Sequence, residues 1–268
     1  MRLQLSNIIL LFSIFLVDKS ISQITTTNLP PYNNPDYLVT DILVGQGISA
    51  NNVVYQGDSN QIGYFNGANS NVGLENGVVL ATGDINELSG GFGGFLANNV
   101  NGDPDLLNLA NVVPGLIGQN FSVSSVNDVA ILEFDFIAES ETITFNYVFA
   151  SSEYNAWENS SYNDVFGFFI SGPGIVGPYN SPVNFPGGSI NIASFTSTEA
   201  NSLGSDLPIT ISSVNSFYND IFYVQNQNFN TVFTADGFTT VFAATADVIC
   251  GETSVSYTHL TLPTIYSV

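Results

Sequence analysis

Beyond residue 22 this chain contains no lysine and no arginine. Its only two, Arg2 and Lys19, precede that point, whereas 22 of the 23 Asp and Glu residues follow it. Nucleic-acid binding is excluded, because displacing counterions from phosphates needs cationic side chains. Recognition of phosphate by a guanidinium fork is excluded for the same reason, and so is direct attraction to an anionic membrane surface. Carboxylates packed together in such a chain can be relieved only by water, backbone N–H groups, a shared proton or a metal cation.

Cysteine and histidine are almost as scarce, with one each, Cys250 and His259. A lone cysteine permits no intrachain disulfide, so the fold is not stapled oxidatively. Charged residues of both signs make up only 9% of the chain, so solubility falls to Asn, of which there are 32, and to Ser, Thr and Gly.

Long apolar runs are missing too. The longest, residues 8–17 (IILLFSIFLV), is ten residues, against roughly 20 needed to span a bilayer. Arg2 precedes it and Ser20-Ile21-Ser22 follows with the small-x-small form of a cleavage site. Residues 1–22 therefore read as a signal peptide, with export to the cell surface or medium as the consequence.

At the other end, Val255-Ser256-Tyr257-Thr258-His259-Leu260 resembles translated sequencing-adapter sequence. Residues 254–268 are accordingly expected to be non-native and to lie outside the fold. On that reading His259 plays no part, and the domain lacks its closing strand or strands and the anchoring domains downstream. The expected organisation is a signal peptide (1–22), a linker (23–32), one β domain (33–253) and the tail (254–268).

What the body has in quantity is alternation. In residues 129–137, Ala130, Leu132, Phe134 and Phe136 alternate with Ile131, Glu133 and Asp135, the period of a strand. Residues 142–150 repeat the pattern with Ile143, Phe145, Tyr147 and Phe149. The short polar Ala138-Glu139-Ser140-Glu141 between them predicts a hairpin. Further strands are expected at 164–171, 189–196, 207–214, 220–225, 231–235 and 239–248, and a helix only at 105–112. The fold class is all-β, an antiparallel β-sandwich or jelly roll. Tyr162-Asn163-Asp164-Val165-Phe166 and Tyr218-Asn219-Asp220-Ile221-Phe222 echo each other as turns leading into strands.

Several blocks resemble one family. They are Asn34-Pro35-Asp36-Tyr37-Leu38-Val39, Asp41-Ile42-Leu43-Val44-Gly45-Gln46-Gly47-Ile48, Gly63-Tyr64-Phe65 and Gly73-Leu74-Glu75-Asn76-Gly77-Val78-Val79-Leu80-Ala81-Thr82-Gly83. Asn101-Gly102-Asp103-Pro104-Asp105-Leu106, Asn127-Asp128-Val129-Ala130-Ile131-Leu132-Glu133-Phe134 and Phe149-Ala150-Ser151-Ser152-Glu153-Tyr154 follow. The most specific is Asn163-Asp164-Val165-Phe166-Gly167-Phe168-Phe169-Ile170-Ser171-Gly172-Pro173-Gly174. In this order, over about residues 33–251, they resemble the choice-of-anchor L domain of secreted and surface proteins. The resemblance implies an exported module; no enzymatic activity follows from it.

Two acidic clusters have the oxygen inventory of a calcium site. The first is Glu153, Glu158, Asn163 and Asp164, in and beside a loop between two strong strands; the second is Asp103 and Asp105. Neither has the spacing of an EF-hand, and both also fit ordinary Asn/Asp turns. Glu133 and Asp135, mid-strand, read as a solvent-facing or metal-facing pair rather than a glycosidase pair. Tyr154, Trp157 and Tyr162 are candidates for stacking on a ligand or for pinning the loop to the core. Gly90-Gly91-Phe92-Gly93-Gly94-Phe95 lacks the lysine and context of a phosphate loop. The expected function is a non-enzymatic, exported binding or adhesion module, calcium-stabilised, for an extracellular protein or glycan. The alternative is a carbohydrate-binding module of a secreted hydrolase.

Overall fold

A computed structural model describes residues 22–88, 102–180, 187–226, 231–232 and 235–262. All of the expected signal peptide but Ser22, and the Gly90–Phe95 stretch, lie outside these residues. Nearly every described element is a strand. β1 (Ser22–Gln23) is followed by β2 (Thr25–Thr27), a short turn α1 (Pro35–Tyr37) and a π-helical turn (Leu38–Leu43). Next come β3 (Ile48–Gln56), β4 (Ile62–Asn66), β5 (Asn76–Leu80) and the helix α2 (Pro104–Leu116). β6 (Asn127–Ala138), β7 (Thr142–Tyr147), β8 (Ala150–Ser151), β9 (Val165–Ser171), β10 (Ile190–Asn191), β11 (Ser194–Thr196) and β12 (Asp206–Thr210) follow. The chain closes through β13 (Tyr223–Gln225), β14 (Thr231–Val232), β15 (Gly237–Thr239), β16 (Phe242–Asp247) and β17 (Thr253–Leu262).

The main sheet has seven strands in the order β11-β12-β9-β17-β6-β3, with β10 also on β9, all antiparallel. One face of it meets the two-stranded ribbon β7–β16 across the principal core. There Leu132, Phe134 and Phe136 of β6 and Phe168 and Ile170 of β9 pack with Ile143, Phe145 and Tyr147 of β7. Phe145–Phe168 and Tyr147–Phe166 ring centroids lie 5.1 Å apart. This is sheet-on-sheet packing, and among the described residues no sheet closes into a barrel.

The other face is covered by α2, through Leu106, Leu109 and Ala110 against Val129, Ile131, Val165 and Phe169. A Cβ added at Gly167 would sit 2.7 Å from the Phe169 ring and 2.9 Å from Leu106, so glycine at that strand position gives both side chains room under the helix. Two small sheets, β2-β4-β5 and β13-β15-β8, enclose a third cluster around Phe65 and Phe238.

The fold class agrees with the sequence reading, but the hairpin does not form. β6 pairs with β17 and β3, whereas β7 pairs with β16. Alternation states that each strand has one apolar face; it does not state whether two such faces belong to one sheet or to two that oppose. Here residues 138–141 turn the chain from one layer to the other, so both aromatic faces meet across the core. The period of two also leaves β3, β4 and β5 unmarked, because small and polar residues interrupt it there. α2 runs past the expected end to Leu116, with Pro114 inside it.

Residues 254–262, set aside in the sequence reading with the rest of the tail, belong to a ten-residue strand, Thr253–Leu262, in the middle of the main sheet. β17 pairs with β6 on one side and β9 on the other. Both of its faces are covered: Tyr257 packs into the helix-side cluster and Leu260 against the principal core. Ser256 lies opposite Phe134 and Ile170, and its hydroxyl has no hydrogen-bond partner.

Candidate functional site

The loop between β8 and β9 begins and ends on buried polar residues. Ser151 is the last residue of β8, held by its pairing with Gly237 of β15. Its hydroxyl accepts the Glu153 N–H at 2.9 Å, which leaves its proton to be donated to Asp164 Oδ2 in a short contact. Asp164 sits immediately before β9, and its carbonyl accepts from the Ile211 N–H at 3.2 Å. The carboxyls of Glu153 and Asp164 face and interact with each other.

The outer part of the loop is built from Asn and Ser turns. Asn155 and Asn159 adopt left-handed backbones, φ 66° and 58°, a conformation Asn tolerates better than most residues. The Asn155 N–H donates to Glu158 Oε1 at 3.0 Å, and the Asn159 N–H donates to Ser212 Oγ at 3.1 Å. Trp157 and Tyr162 pack edge to face with centroids 4.9 Å apart, and Trp157 is 37% exposed.

The inner part is less well served. Glu153 and Asp164 are 7% and 1% exposed. Glu153 Oε2, Asp164 Oδ1, Asn159 Oδ1 and the Tyr154 hydroxyl are buried without a hydrogen-bond partner. Burial pushes Asp164 well above the usual carboxylate range, and the neighbouring Glu153 charge pushes the same way. Glu153 is pushed up to about 7, mainly by burial. Burial, with Tyr223, Asp164 and Glu158 nearby, likewise raises the Tyr154 phenol. With no cationic side chain to oppose these effects, the two carboxyls cannot both be ionised cheaply, so the pair holds a proton near neutral pH.

The sequence-derived candidates do not all converge. Glu153 and Asp164 come together. Glu158 lies at the rim, half-buried and engaged with the Asn155 N–H. Asn163 is fully buried and faces away from a ligand role: its Nδ2 donates to the Ala110 carbonyl at 3.2 Å, and its Oδ1 accepts from the Ser212 N–H at 3.3 Å. The Ala110 carbonyl is free for this because Pro114, four residues on, has no N–H to offer it. Tyr154 is buried against Phe149 and Tyr223 rather than displayed with Trp157 and Tyr162.

Asp103 and Asp105 form a separate cluster at the start of α2. Asp103 caps the helix, accepting from the Asp105 and Leu106 N–H groups, and Asp105 accepts from the Asn180 N–H at 3.1 Å. His259 Nδ1 lies 3.5 Å from Asp103 Oδ2. Burial depresses the His259 pKa more than the two aspartates raise it, so the ring is neutral and this contact is not an ion pair. Burial works to raise Asp103, but the histidine contact and the two cap N–H groups together carry it below its ordinary value. The cap N–H groups act whatever the histidine's charge. Glu133 and Asp135 stay on the half-exposed side of β6, and Asp135 accepts from Asn52 Nδ2 at 2.7 Å.

Sequence reasoning did not mark Ser151 or Tyr223. Ser151 orients Asp164, and Tyr223 packs against Tyr154 with tilted rings 4.9 Å apart while accepting from Asn155 Nδ2 at 3.3 Å. The absence of a side chain at Gly237 leaves room for the Tyr223 ring, since a Cβ there would lie 2.5 Å from it. Among the described residues no three His, Cys, Asp or Glu side chains converge as a metal site, and no helix is long and apolar enough to cross a membrane.

The described residues thus form an all-β sandwich with this loop between β8 and β9. The chain belongs to the choice-of-anchor L domain family, whose profile matches residues 24–258. That family is one of surface-associated modules and is not a known enzyme family. Comparison with curated proteins and with solved structures gives no match.

Proposed function

We propose that this chain is a non-enzymatic binding or adhesion module of an exported surface protein. In this reading a divalent cation, calcium by preference, stiffens the loop that presents its ligand-contacting rings. The observation that carries it is the Glu153–Asp164 pair: two buried carboxyls with unpartnered oxygens, in a chain without lysine or arginine after residue 22. Calcium takes six to eight oxygens, so backbone carbonyls and water would complete the shell around these two. Export follows from the signal-peptide pattern of residues 1–22 and agrees with the family.

The ligand would be an extracellular protein or glycan, met by Trp157 and Tyr162. The half-exposed Trp157 ring, held edge-on by Tyr162, also supports the carbohydrate-binding alternative, because such a ring can stack on a sugar face. Thermal unfolding in excess calcium, in magnesium and in chelator tests the cation. A ligand at 100 times its dissociation constant adds about 2.7 kcal/mol if it binds only the folded state, a rise of several degrees. Identical melting in all three conditions refutes the cation. A glycan array read with the unmodified chain and with Trp157→Ala tests the surface.

A further inference from the structure

We propose that the open edge of β7 is a docking site for an extended segment of another protein, one bearing Lys or Arg, which adds to the β7–β16 ribbon as a third strand. This rests on the binding-module reading above and gives a protein partner its place and its charge. The site is built from other residues than the Trp157 loop and involves neither a cation nor a glycan.

The principal core lies between unequal layers, seven strands on one side and only β7 and β16 on the other. The hydrogen-bond phase of that ribbon follows from one contact. The Val248 N–H donates to the Glu141 carbonyl at 2.9 Å, in the same register that pairs Thr142 with Asp247 and Tyr147 with Phe242. Bonded pairs alternate along an antiparallel ladder, so Ile143, Phe145 and Tyr147 bond to β16. Thr142, Thr144 and Asn146 therefore turn their N–H and C=O groups outward. Ser140 Oγ donates to the Thr142 carbonyl at 2.6 Å, but no described residue pairs with the outward backbone of Thr144 or Asn146. Both of those residues are exposed. Other edges are blunted: β3 is broken by a bulge between Asn51 and Val54, and β11 and β13 have three residues each. β7 has six residues with no proline, lysine or bulge, so its edge remains a template for another strand.

A cleft of about 400 Å³ lies beside this edge, between residues 45–48 and Thr142, Ile143 and Thr144. Ile48 and Ile143 in its walls both pack in the principal core, so alternate apolar side chains of an added strand would extend that core. Glu139 also lines the cleft, and Glu141 and Asp247 line the next one, which shares Thr142 with it. All three carboxylates are exposed. A second copy of this chain would bring only more carboxylates to them, since no Lys or Arg follows residue 22. The same holds for the chain's own segments. A partner strand with Lys or Arg between its apolar residues complements both the cleft and its rim.

The test is an array of synthetic peptides of about eight residues, an ordinary strand length, in which Lys or Glu alternates with Val, Ile, Phe or Tyr. It is probed with the purified full chain, and hits are titrated by fluorescence anisotropy. Lys-bearing peptides are expected to bind, and amide hydrogen exchange at Thr144 and Asn146 is expected to slow in the complex. Thr144→Pro removes one outward N–H and no bond to β16, which an edge strand tolerates. It should weaken binding about tenfold, the worth of one hydrogen bond. Glu139→Gln with Glu141→Gln should weaken binding and reduce its salt dependence. Equal binding of Glu-bearing peptides, or binding without protection at Thr144 and Asn146, overturns the proposal. So does self-association of the free chain, seen in sedimentation, that protects the same amides, because the occupant is then a second copy. If no peptide binds, the docking site falls, while the glycan array on Trp157 judges the binding reading separately. The exchange readout uses the unaltered chain and so stands whether or not a variant folds.

Discussion

Ser151 donates its hydroxyl to Asp164, tying the end of one strand to the start of another in a different sheet. Ser151 lies in the small sheet β13-β15-β8 and Asp164 at the entry to the main sheet, so this bond closes the base of the loop that carries Trp157. The same contact fixes which Asp164 oxygen is occupied and which is left open.

The buried pair gives the cation-free protein a definite pH response. In the folded state Glu153 holds its proton up to about 7, above its ordinary value of 4.5. The unfolded chain loses that proton first, so between those values the folded state binds more protons and its stability falls as pH rises. In chelator, the melting temperature of the unaltered chain relative to Glu153→Gln is expected to drop across this window. Excess calcium should remove the drop. A difference that does not change with pH would mean that the carboxyl titrates normally.

Asn219 is expected to be the costliest single asparagine to lose. It is fully buried at φ 52°. Its Oδ1 accepts from Ser197 Oγ and from the Thr198 N–H and hydroxyl, and its Nδ2 donates to the Ser213 carbonyl. Asn219→Ala removes these bonds and keeps the backbone cost, for a loss of about 2–4 kcal/mol. Asn219→Gly relieves the backbone and should lose less. Denaturant unfolding of the pair measures both terms.

Asn163→Ala leaves the Ala110 carbonyl without the donor that Pro114 cannot replace. The expected loss is about 1–3 kcal/mol, the cost of an unsatisfied buried acceptor. Calcium affinity should hold, since Asn163 is not a ligand in this arrangement. Loss of calcium binding in a variant that remains folded would return Asn163 to the site.

Ser256→Ala is expected to stabilise. Its hydroxyl is buried between Phe134 and Ile170 without a partner, so deleting it should gain about 1 kcal/mol, a rise of roughly 2–4 °C for a chain of this size. Unchanged melting would show that residues 253–262 do not occupy the centre of the sheet.

Trp157→Ala should change stability by less than about 1 kcal/mol, because the ring is partly exposed on a loop and touches chiefly Tyr162. Binding to any glycan hit should be lost with it. As the only tryptophan, Trp157 also reports on the loop: calcium binding is expected to reduce its acrylamide quenching.

Much of the candidate site could be read in the sequence, and its limits are physical. Glu153 and Asp164 stood out because carboxylates bracketed a loop in a chain with no cations. Which neighbours joined them could not be read, because Asn163 and Asn219 occur in nearly the same five-residue context and do different work. Asn163 bridges α2 to the segment after β12, whereas Asn219 takes a left-handed turn and binds 197–198. Asp164 is buried, while its counterpart Asp220 is exposed.

By itself the sequence determined the chemistry available: no cationic partners, no disulfide, alternating strands and therefore an all-β sandwich. It did so because composition and a period of two are local properties, carried by each segment alone. Only the tertiary structure decided that β6 and β7 oppose across the core instead of pairing, that residues 253–262 lie between β6 and β9, and that Tyr154 turns inward while Trp157 faces out. Those outcomes depend on which faces meet at long range. An alternating pattern fixes that a strand has a buried side, and leaves open what is buried against it.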